Sequence, residues 1–289
     1  MMHPIVESKC VTLGWLASIV AYICKYFYPT WSDMISYGRI VDRMEKEYKI
    51  LPRNNWTRGN PSFLDKALSF MLFPRIEYST GFTSFYAIGC IMSLALFFSQ
   101  GSYRTWVTIK GYSNWLFLIH TSRRLYESLF VQIYSKRKMH GLHWLAGSSY
   151  YVLAACTFGL VGDHDYCSLS NACVLFVLTV VFVWSNTQQF ICHQHLAQLR
   201  RKDGKYDQRY HIPYRGLFQY VACPHYLLEM IIYGVLVVGR GVTRNSVLNF
   251  IFVVLNLTSR SVDSWHWYKS YFGAERLPHD WHVLIPWVW

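Results

Sequence analysis

Residues 112–131 read YSNWLFLIHTSRRLYESLFV, and this stretch decides the fold. Its first half is largely apolar, whereas its second half carries His120, Arg123, Arg124 and Glu127. A helix needs about 20 residues to cross the hydrocarbon core of a bilayer, which is the length of this stretch. Ionisable side chains inside such a helix are costly and usually functional. The stretch therefore predicts a membrane helix that carries part of a polar site.

Six further apolar stretches of similar character lie on both sides of this one. Charged residues make up 15% of the 289 residues, which is well below the roughly 25% of a soluble domain. The composition therefore predicts an all-α, polytopic integral membrane protein with about seven transmembrane helices. The six further stretches are 11–28, 82–99, 142–162, 172–192, 222–239 and 245–258.

The basic residues orient the predicted helices. The net charge is +12, and 20 of the 28 Lys and Arg residues follow the first, third, fifth and seventh stretches. Only five lie at the N-terminus or after the second, fourth and sixth, and three lie within the stretches. Basic connections stay in the cytosol. We therefore expect a cytosolic C-terminus, and we expect no nucleic-acid partner.

The predicted topology brings polar side chains of four helices to the cytosolic half of the membrane. The third, fifth and seventh helices end there and the sixth begins there. Simple hydrogen bonding between helices is the alternative explanation. The convergence favours a polar site that a long apolar substrate reaches from the lipid and a charged cofactor reaches from the cytosol. Besides the four residues above, the set comprises Asn186, Gln188, Gln189, His193, His225, Glu229, Asn256, Arg260 and Asp263.

Motifs for other kinds of site are missing from the sequence. There is no G-x-G-x-x-G segment and no G-x-x-x-x-G-K-[ST] segment, which makes a soluble nucleotide-binding fold a poor explanation. The twelve His residues include no adjacent pair, and the eight Cys residues are scattered. We therefore predict no metal site, and we expect interface His residues with hydrogen-bond partners.

Several separated motifs occur in a familiar order. They include RRLYESLFV at 123–131, QQFICHQHLAQLR at 188–200, YHIP at 210–213, PHYLLE at 224–229, and Arg260 eight residues before Tyr268. In these motifs the chain resembles the steroid 5α-reductase family, and within it the polyprenol reductase branch. The resemblance is good over about 110–289 and weaker over 62–110. It implies an NADPH-dependent, multi-pass enzyme of the endoplasmic reticulum membrane.

The apolar stretches and the resemblance together predict the domain organisation. The chain would form a single membrane domain in which 1–81 supply the first helix and a long cytosolic connection. Residues 82–289 would form a six-helix reductase core, whose C-terminal part, about 184–289, binds NADPH.

Carried over by position, the family's cofactor site implies a role for several residues. Arg200 would contact the phosphate-bearing part of NADPH, and Glu229 would lie near the nicotinamide. His225 stands where the family usually has Asn, and Thr121 stands where steroid reductases have a substrate-polarising Tyr, which argues against a 3-ketosteroid. The full expected cofactor-binding set is Gln189, His193, Arg200, Tyr210, His225, Glu229, Arg260 and Tyr268.

The chemistry narrows the expected substrate. Hydride adds readily to a C=C bond that is conjugated with a carbonyl, whereas the C=C bond of an allylic alcohol is not polarised. We therefore expect reduction of the α-isoprene double bond of a long-chain polyprenyl lipid, as aldehyde rather than alcohol, for dolichol synthesis and protein N-glycosylation. His120, Arg124 and Tyr268 are the candidate donors to the developing oxyanion.

Three other functions stay open on the sequence alone. The first is reduction of another lipid enone, such as a steroid or an enoyl thioester. The second is a membrane metal-dependent lipid hydroxylase, and the third is a scaffold without catalytic activity.

Overall fold

The computed structural model describes residues 4–27, 75–99, 109–135, 138–160, 172–202, 205–206 and 209–285. Seven α-helices lie in this part of the chain, and each coincides with one of the predicted apolar stretches. The predicted cytosolic connection up to residue 81 lies mostly outside the described residues. The helices are α1 (Pro4–Phe27), α2 (Tyr78–Ser99), α3 (Ile109–Tyr126), α4 (Gly141–Gly159), α5 (Ala172–Gln198), α6 (Pro224–Arg240) and α7 (Arg244–Phe272).

Apolar side chains cover much of the outside of the bundle. Within the described residues, α2 and α5 are each long and apolar enough to cross a membrane, yet only 28% and 22% of their most apolar windows are buried. Phe98 on α2 and Phe176 on α5 are 65% and 69% exposed. Water would not favour so much exposed apolar surface, whereas lipid would. The bundle thus has the surface of a membrane protein, while the count of seven spans stays a prediction.

The core lies where α6 packs against α3, α5 and α7, and where α2 packs against α4. Phe117, Phe158 and Tyr233 are completely or almost completely buried there. Helix α1 packs against α7 and α4, and its Trp15 donates a hydrogen bond of 2.8 Å to Thr157. Large aromatic side chains therefore fill the space between the helices.

The connection between α6, which ends at Arg240, and α7, which begins at Arg244, is a tight turn. Gly241 has a φ of 87°, a conformation that favours glycine. Thr243 then caps α7 and exchanges hydrogen bonds with Ser246 in a capping box. The buried Arg240 donates to the carbonyls of Thr157 and Leu160, so it ties this turn to the end of α4.

Two short antiparallel strand pairs accompany the helices, and the sequence patterns predicted neither. Strand β1 (Arg75–Glu77) pairs with β2 (Lys138–His140), and β3 (Arg201–Lys202) pairs with β4 (Lys205–Tyr206). In the first strand pair, the buried Met139 packs close to Gly81, which joins the start of α2 to the start of α4. Strands of two or three residues are too short to show an alternating pattern.

The sequence predicted that the last helix ends at 258, but α7 continues to Phe272. The prediction stopped where polar residues such as Arg260 and Asp263 begin. The helix continues because the C-terminal segment packs on it. The centroid of the Trp281 ring lies 5.3 Å from that of Tyr268 and 6.2 Å from that of Trp265.

Replacing Gly147 with Ala tests the close approach of α2 and α4. The added methyl group would overlap the buried Phe85 ring, so we expect a loss of about 1–3 kcal/mol in the free energy of unfolding. Gly234→Ala is the matched control, because its nearest neighbour is Phe250 at 3.8 Å and alanine favours a helix. Unfolding in mild detergent measures both, and equal stability of the two variants would contradict this packing.

Candidate active site

A buried carboxylate next to two arginines forms the centre of the polar region. Helix α3 ends in a π-turn (Glu127–Val131), the kind of irregularity that is frequent at functional sites. The Glu127 side chain is completely buried, and it accepts hydrogen bonds from Arg123 and Arg124. These residues lie three and four positions apart, so the helix itself aligns them.

Helix α5 contributes three polar side chains from one face: Asn186, Gln189 and His193. Arg123 donates to Asn186 Oδ1 at 3.0 Å and to Gln189 Oε1. His193 Nδ1 lies 2.7 Å from Glu127 Oε2 and 2.6 Å from Arg124 Nη1. The two arginines therefore join α3 to α5 inside the bundle.

Helix α6 adds the second carboxylate. Glu229 accepts a hydrogen bond from His120 Nε2 at 3.1 Å and another from Gln189 Nε2 at 2.5 Å. Gln189 Nε2 also donates to the carbonyl of His225 at 2.9 Å. The Glu229 side chain is 15% exposed, so one side of it remains open. Gln189 therefore links the two carboxylates. Its Oε1 accepts from Arg123, which also donates to Glu127, and its Nε2 donates to Glu229.

The formal charges of this network balance. Two arginines face two glutamates, with His120 and His193 between them. Burial of unbalanced charge costs several kcal/mol per ion, so balance is a condition for placing these groups inside the bundle.

Helix α2 reaches the network through Tyr86. Arg124 Nη2 donates a hydrogen bond of 2.5 Å to the Tyr86 hydroxyl, and the guanidinium carbon lies 4.8 Å from the ring centroid. Tyr86 is not among the site residues predicted from the sequence, since it lies in an apolar helix with no charged neighbour. Only the tertiary contact reveals it.

A second group of predicted residues lies beyond the C-terminal end of α5. The Arg200 guanidinium carbon is 4.2 Å from the centroid of the Tyr210 ring. Tyr210 in turn makes edge contacts with Trp267 and Tyr271 of α7, at 4.7 and 5.4 Å. The stacked arrangement holds Arg200 in one orientation, because the guanidinium lies over an aromatic ring.

Tyr268 belongs to a third group, which is largely aromatic. Its ring packs on Trp281 and Phe272, and burial raises the pKa of its phenol. Trp281 donates to the carbonyl of Phe218, which fixes the C-terminal segment to the loop before α6. Tyr268 therefore remains protonated at neutral pH.

The structure brings six of the predicted residues into one hydrogen-bonded network and separates the others. The hydrogen bonds of the network come from α2, α3, α5 and α6. Arg200 and Tyr210 contact each other, Arg260 lies half-buried on α7, and Tyr268 does not join His120 or Arg124. The six network residues are His120, Arg124, Gln189, His193, His225 and Glu229.

A sequence model of the 3-oxo-5-alpha-steroid 4-dehydrogenase family matches residues 137–289. The chain belongs to this family. The matched region includes α4–α7, and therefore every network residue except those of α2 and α3. Membership agrees with the resemblance to steroid 5α-reductases and their polyprenol reductase branch.

Several curated relatives of this chain are polyprenal reductases. The chain is 32% identical over 219 residues to polyprenal reductase 2 of Oryza sativa subsp. japonica, which covers 64% of this chain and 60% of that protein. It is 30% identical over 202 residues to polyprenal reductase 1 of Arabidopsis thaliana, covering 59% and 62%. With polyprenal reductase of Danio rerio the identity is 30% over 185 residues, covering 60% and 58%. The chain thus spans about 60% of the length of these relatives.

Glu127→Gln tests whether the buried carboxylate holds the network together. The amide keeps the shape but leaves two buried arginines with less opposite charge, so we expect a loss of about 3 kcal/mol or more in the free energy of unfolding. Glu77→Gln, on the exposed strand β1, should change stability little. If both variants unfold at the same denaturant concentration, the network does not stabilise the bundle.

Proposed function

We propose that this chain reduces the α-isoprene double bond of a long-chain polyprenyl aldehyde, using NADPH, in a step of dolichol synthesis that serves protein N-glycosylation. The observation that carries the proposal is the charge-balanced network of Arg124, Glu127, His120 and Glu229 inside an otherwise apolar bundle. Intramembrane charge of this kind is costly and is kept where chemistry requires it. The names of the curated relatives support the same substrate.

The donor and acceptor groups around Glu229 suit the carboxamide of a nicotinamide. Glu229 offers carboxylate oxygens, and Gln189 lies against it. His225 Nδ1 is buried and has no hydrogen-bond partner among the described residues. A buried polar atom without a partner is costly, and a bound amide group would satisfy it. These residues therefore fit the nicotinamide end of NADPH.

The phosphate-bearing part fits the cytosolic end of α5. Arg200 follows His193 by seven residues, which is about 10 Å along a helix. Its guanidinium is oriented by Tyr210 and can contact phosphate oxygens with two N–H groups. Arg260 and Tyr268 of α7 complete the proposed site on the same side. His193 would bind between the two ends.

The chemistry needs a reductant, an oxyanion donor and an apolar path. When bound, NADPH supplies the hydride. The residues of the network orient the carbonyl, and a donor stabilises negative charge on its oxygen. His120, Arg124 and Tyr268 are the donors predicted from the sequence. The apolar surface of α2 and α5 gives the polyprenyl chain access from the lipid. The proposal includes seven membrane helices and a cytosolic C-terminus. It also locates the protein in the endoplasmic reticulum membrane.

Turnover of the purified full chain with defined lipids tests the proposal. We expect NADPH oxidation with polyprenal, and a lipid product heavier by two hydrogens in mass spectrometry. Polyprenol and a 3-ketosteroid serve as controls, and neither should be reduced, because one lacks a carbonyl and the other lacks a polyprenyl chain. Absence of NADPH oxidation with polyprenal would reject the proposal, whereas turnover of the steroid alone would reassign the substrate.

A further inference from the structure

The donor to the substrate oxygen needs an N–H or O–H group that the protein does not already use. His120 faces Glu229 Oε1 with Nε2 and Asn186 Oδ1 with Nδ1, each at 3.1 Å. Arg124 directs Nη1 to Glu127 and His193 and Nη2 to Tyr86. Of the three donors expected from the sequence, His120 and Arg124 thus already make hydrogen bonds within the network, and Tyr268 packs against Phe272 and Trp281 in a separate aromatic group.

The Tyr86 hydroxyl differs from these groups. It accepts a hydrogen bond from Arg124, and its own proton has no acceptor among the described residues. A phenol can accept and donate at once, and a cation that donates to its oxygen makes its O–H a stronger donor. Tyr86 is only 4% exposed, so water competes little for this proton.

A glycine lies close to Tyr86 on α2, and the charged Arg124 of α3 lies beside its hydroxyl. Gly89 lies one turn further along α2, where an added Cβ would come within 2.9 Å of the Tyr151 ring and 3.1 Å of the Thr121 side chain. The Thr121 hydroxyl itself donates to the carbonyl of Phe117 at 2.9 Å, so it is not available to a ligand. Glu229, the proposed nicotinamide neighbour, is close enough to Tyr86 for electrostatic interaction.

We propose that Tyr86 is a catalytic residue that donates a hydrogen bond to the carbonyl oxygen of the aldehyde, and that Arg124 is its positioning residue. The inference rests on the proposed function. Neither residue type nor spacing in the sequence marks Tyr86 for this role, whereas the contact with Arg124 does.

The step is a conjugate reduction of the unsaturated aldehyde. A hydride from the nicotinamide of NADPH forms a C–H bond at the β-carbon, and NADP⁺ results. The C=C electrons move to the bond between the α-carbon and the carbonyl carbon, and the C=O pair moves to the oxygen. Tyr86 stabilises this enolate oxygen and keeps its proton. A proton that comes from water then adds to the α-carbon, and the C=O bond forms again.

Tyr86→Phe removes the hydroxyl and keeps the ring against Arg124. We expect kcat with polyprenal to fall about 100-fold, as for loss of one oxyanion donor, with an unchanged KM for NADPH. Tyr151→Phe is the matched control, because Tyr151 packs edge-on against Tyr86 at 5.4 Å and is nearly as buried. The control should keep its kcat. Equal kcat in the two variants would overturn the inference.

Infrared spectroscopy of a bound saturated aldehyde provides a readout that needs no turnover. In the unchanged protein the carbonyl stretching band should move to lower frequency than in lipid alone, because the oxygen accepts a hydrogen bond. The band should return towards its lipid value in Tyr86→Phe and stay shifted in Tyr151→Phe.

Two outcomes of this measurement would overturn the role of Tyr86. One is the absence of a shifted band in the unchanged protein, and the other is a shifted band that Tyr86→Phe does not alter. A loss of stability with an unaltered band would mean that Tyr86 only supports Arg124. If the unchanged protein shows the shifted band but does not reduce polyprenal, the proposed function fails while the contact stands.

Discussion

The structure depends on Glu127, a carboxylate that is buried completely and accepts from Arg123 and Arg124. Two arginines cannot be buried in an apolar bundle without opposite charge, because the free-energy cost of removing them from water exceeds the stabilisation that packing provides. The π-turn that begins at Glu127 ends α3 where the carboxylate meets His193 of α5. The ion cluster therefore determines how α3 and α5 pack together, and the remaining contacts of the site follow from it.

The same cluster connects the parts that the proposed reaction needs. From Glu127 the hydrogen bonds run through Arg123 to Gln189 and from there to Glu229 of α6. A second path runs through Arg124 to Tyr86 of α2. One path ends where a nicotinamide would bind, and the other ends at a hydroxyl that can bind a carbonyl oxygen. In the proposed site, one set of charges would thus order both the cofactor side and the substrate side.

Much of this fold follows from the sequence, and the exceptions have physical reasons. The apolar stretches locate the seven helices, and residues 120–127 predict the polar site because charge within an apolar helix requires partners. The alternation of basic connections places His193 and Glu229 at the same end. The sequence does not predict Tyr86, whose role comes from a neighbouring helix, nor the separation of Tyr268 from His120. That separation arises because Trp281 returns to cover α7.

The central claim is that the network around Glu229 receives the nicotinamide of NADPH while Arg200 holds its phosphates. A cryo-electron microscopy map of the full chain with NADP⁺ and a saturated polyprenyl aldehyde tests this claim most directly. The account predicts density for the carboxamide between Glu229 and His225, and for the phosphates at Arg200, with the aldehyde carbonyl facing Tyr86. Density for the dinucleotide away from both Glu229 and Arg200 would contradict it.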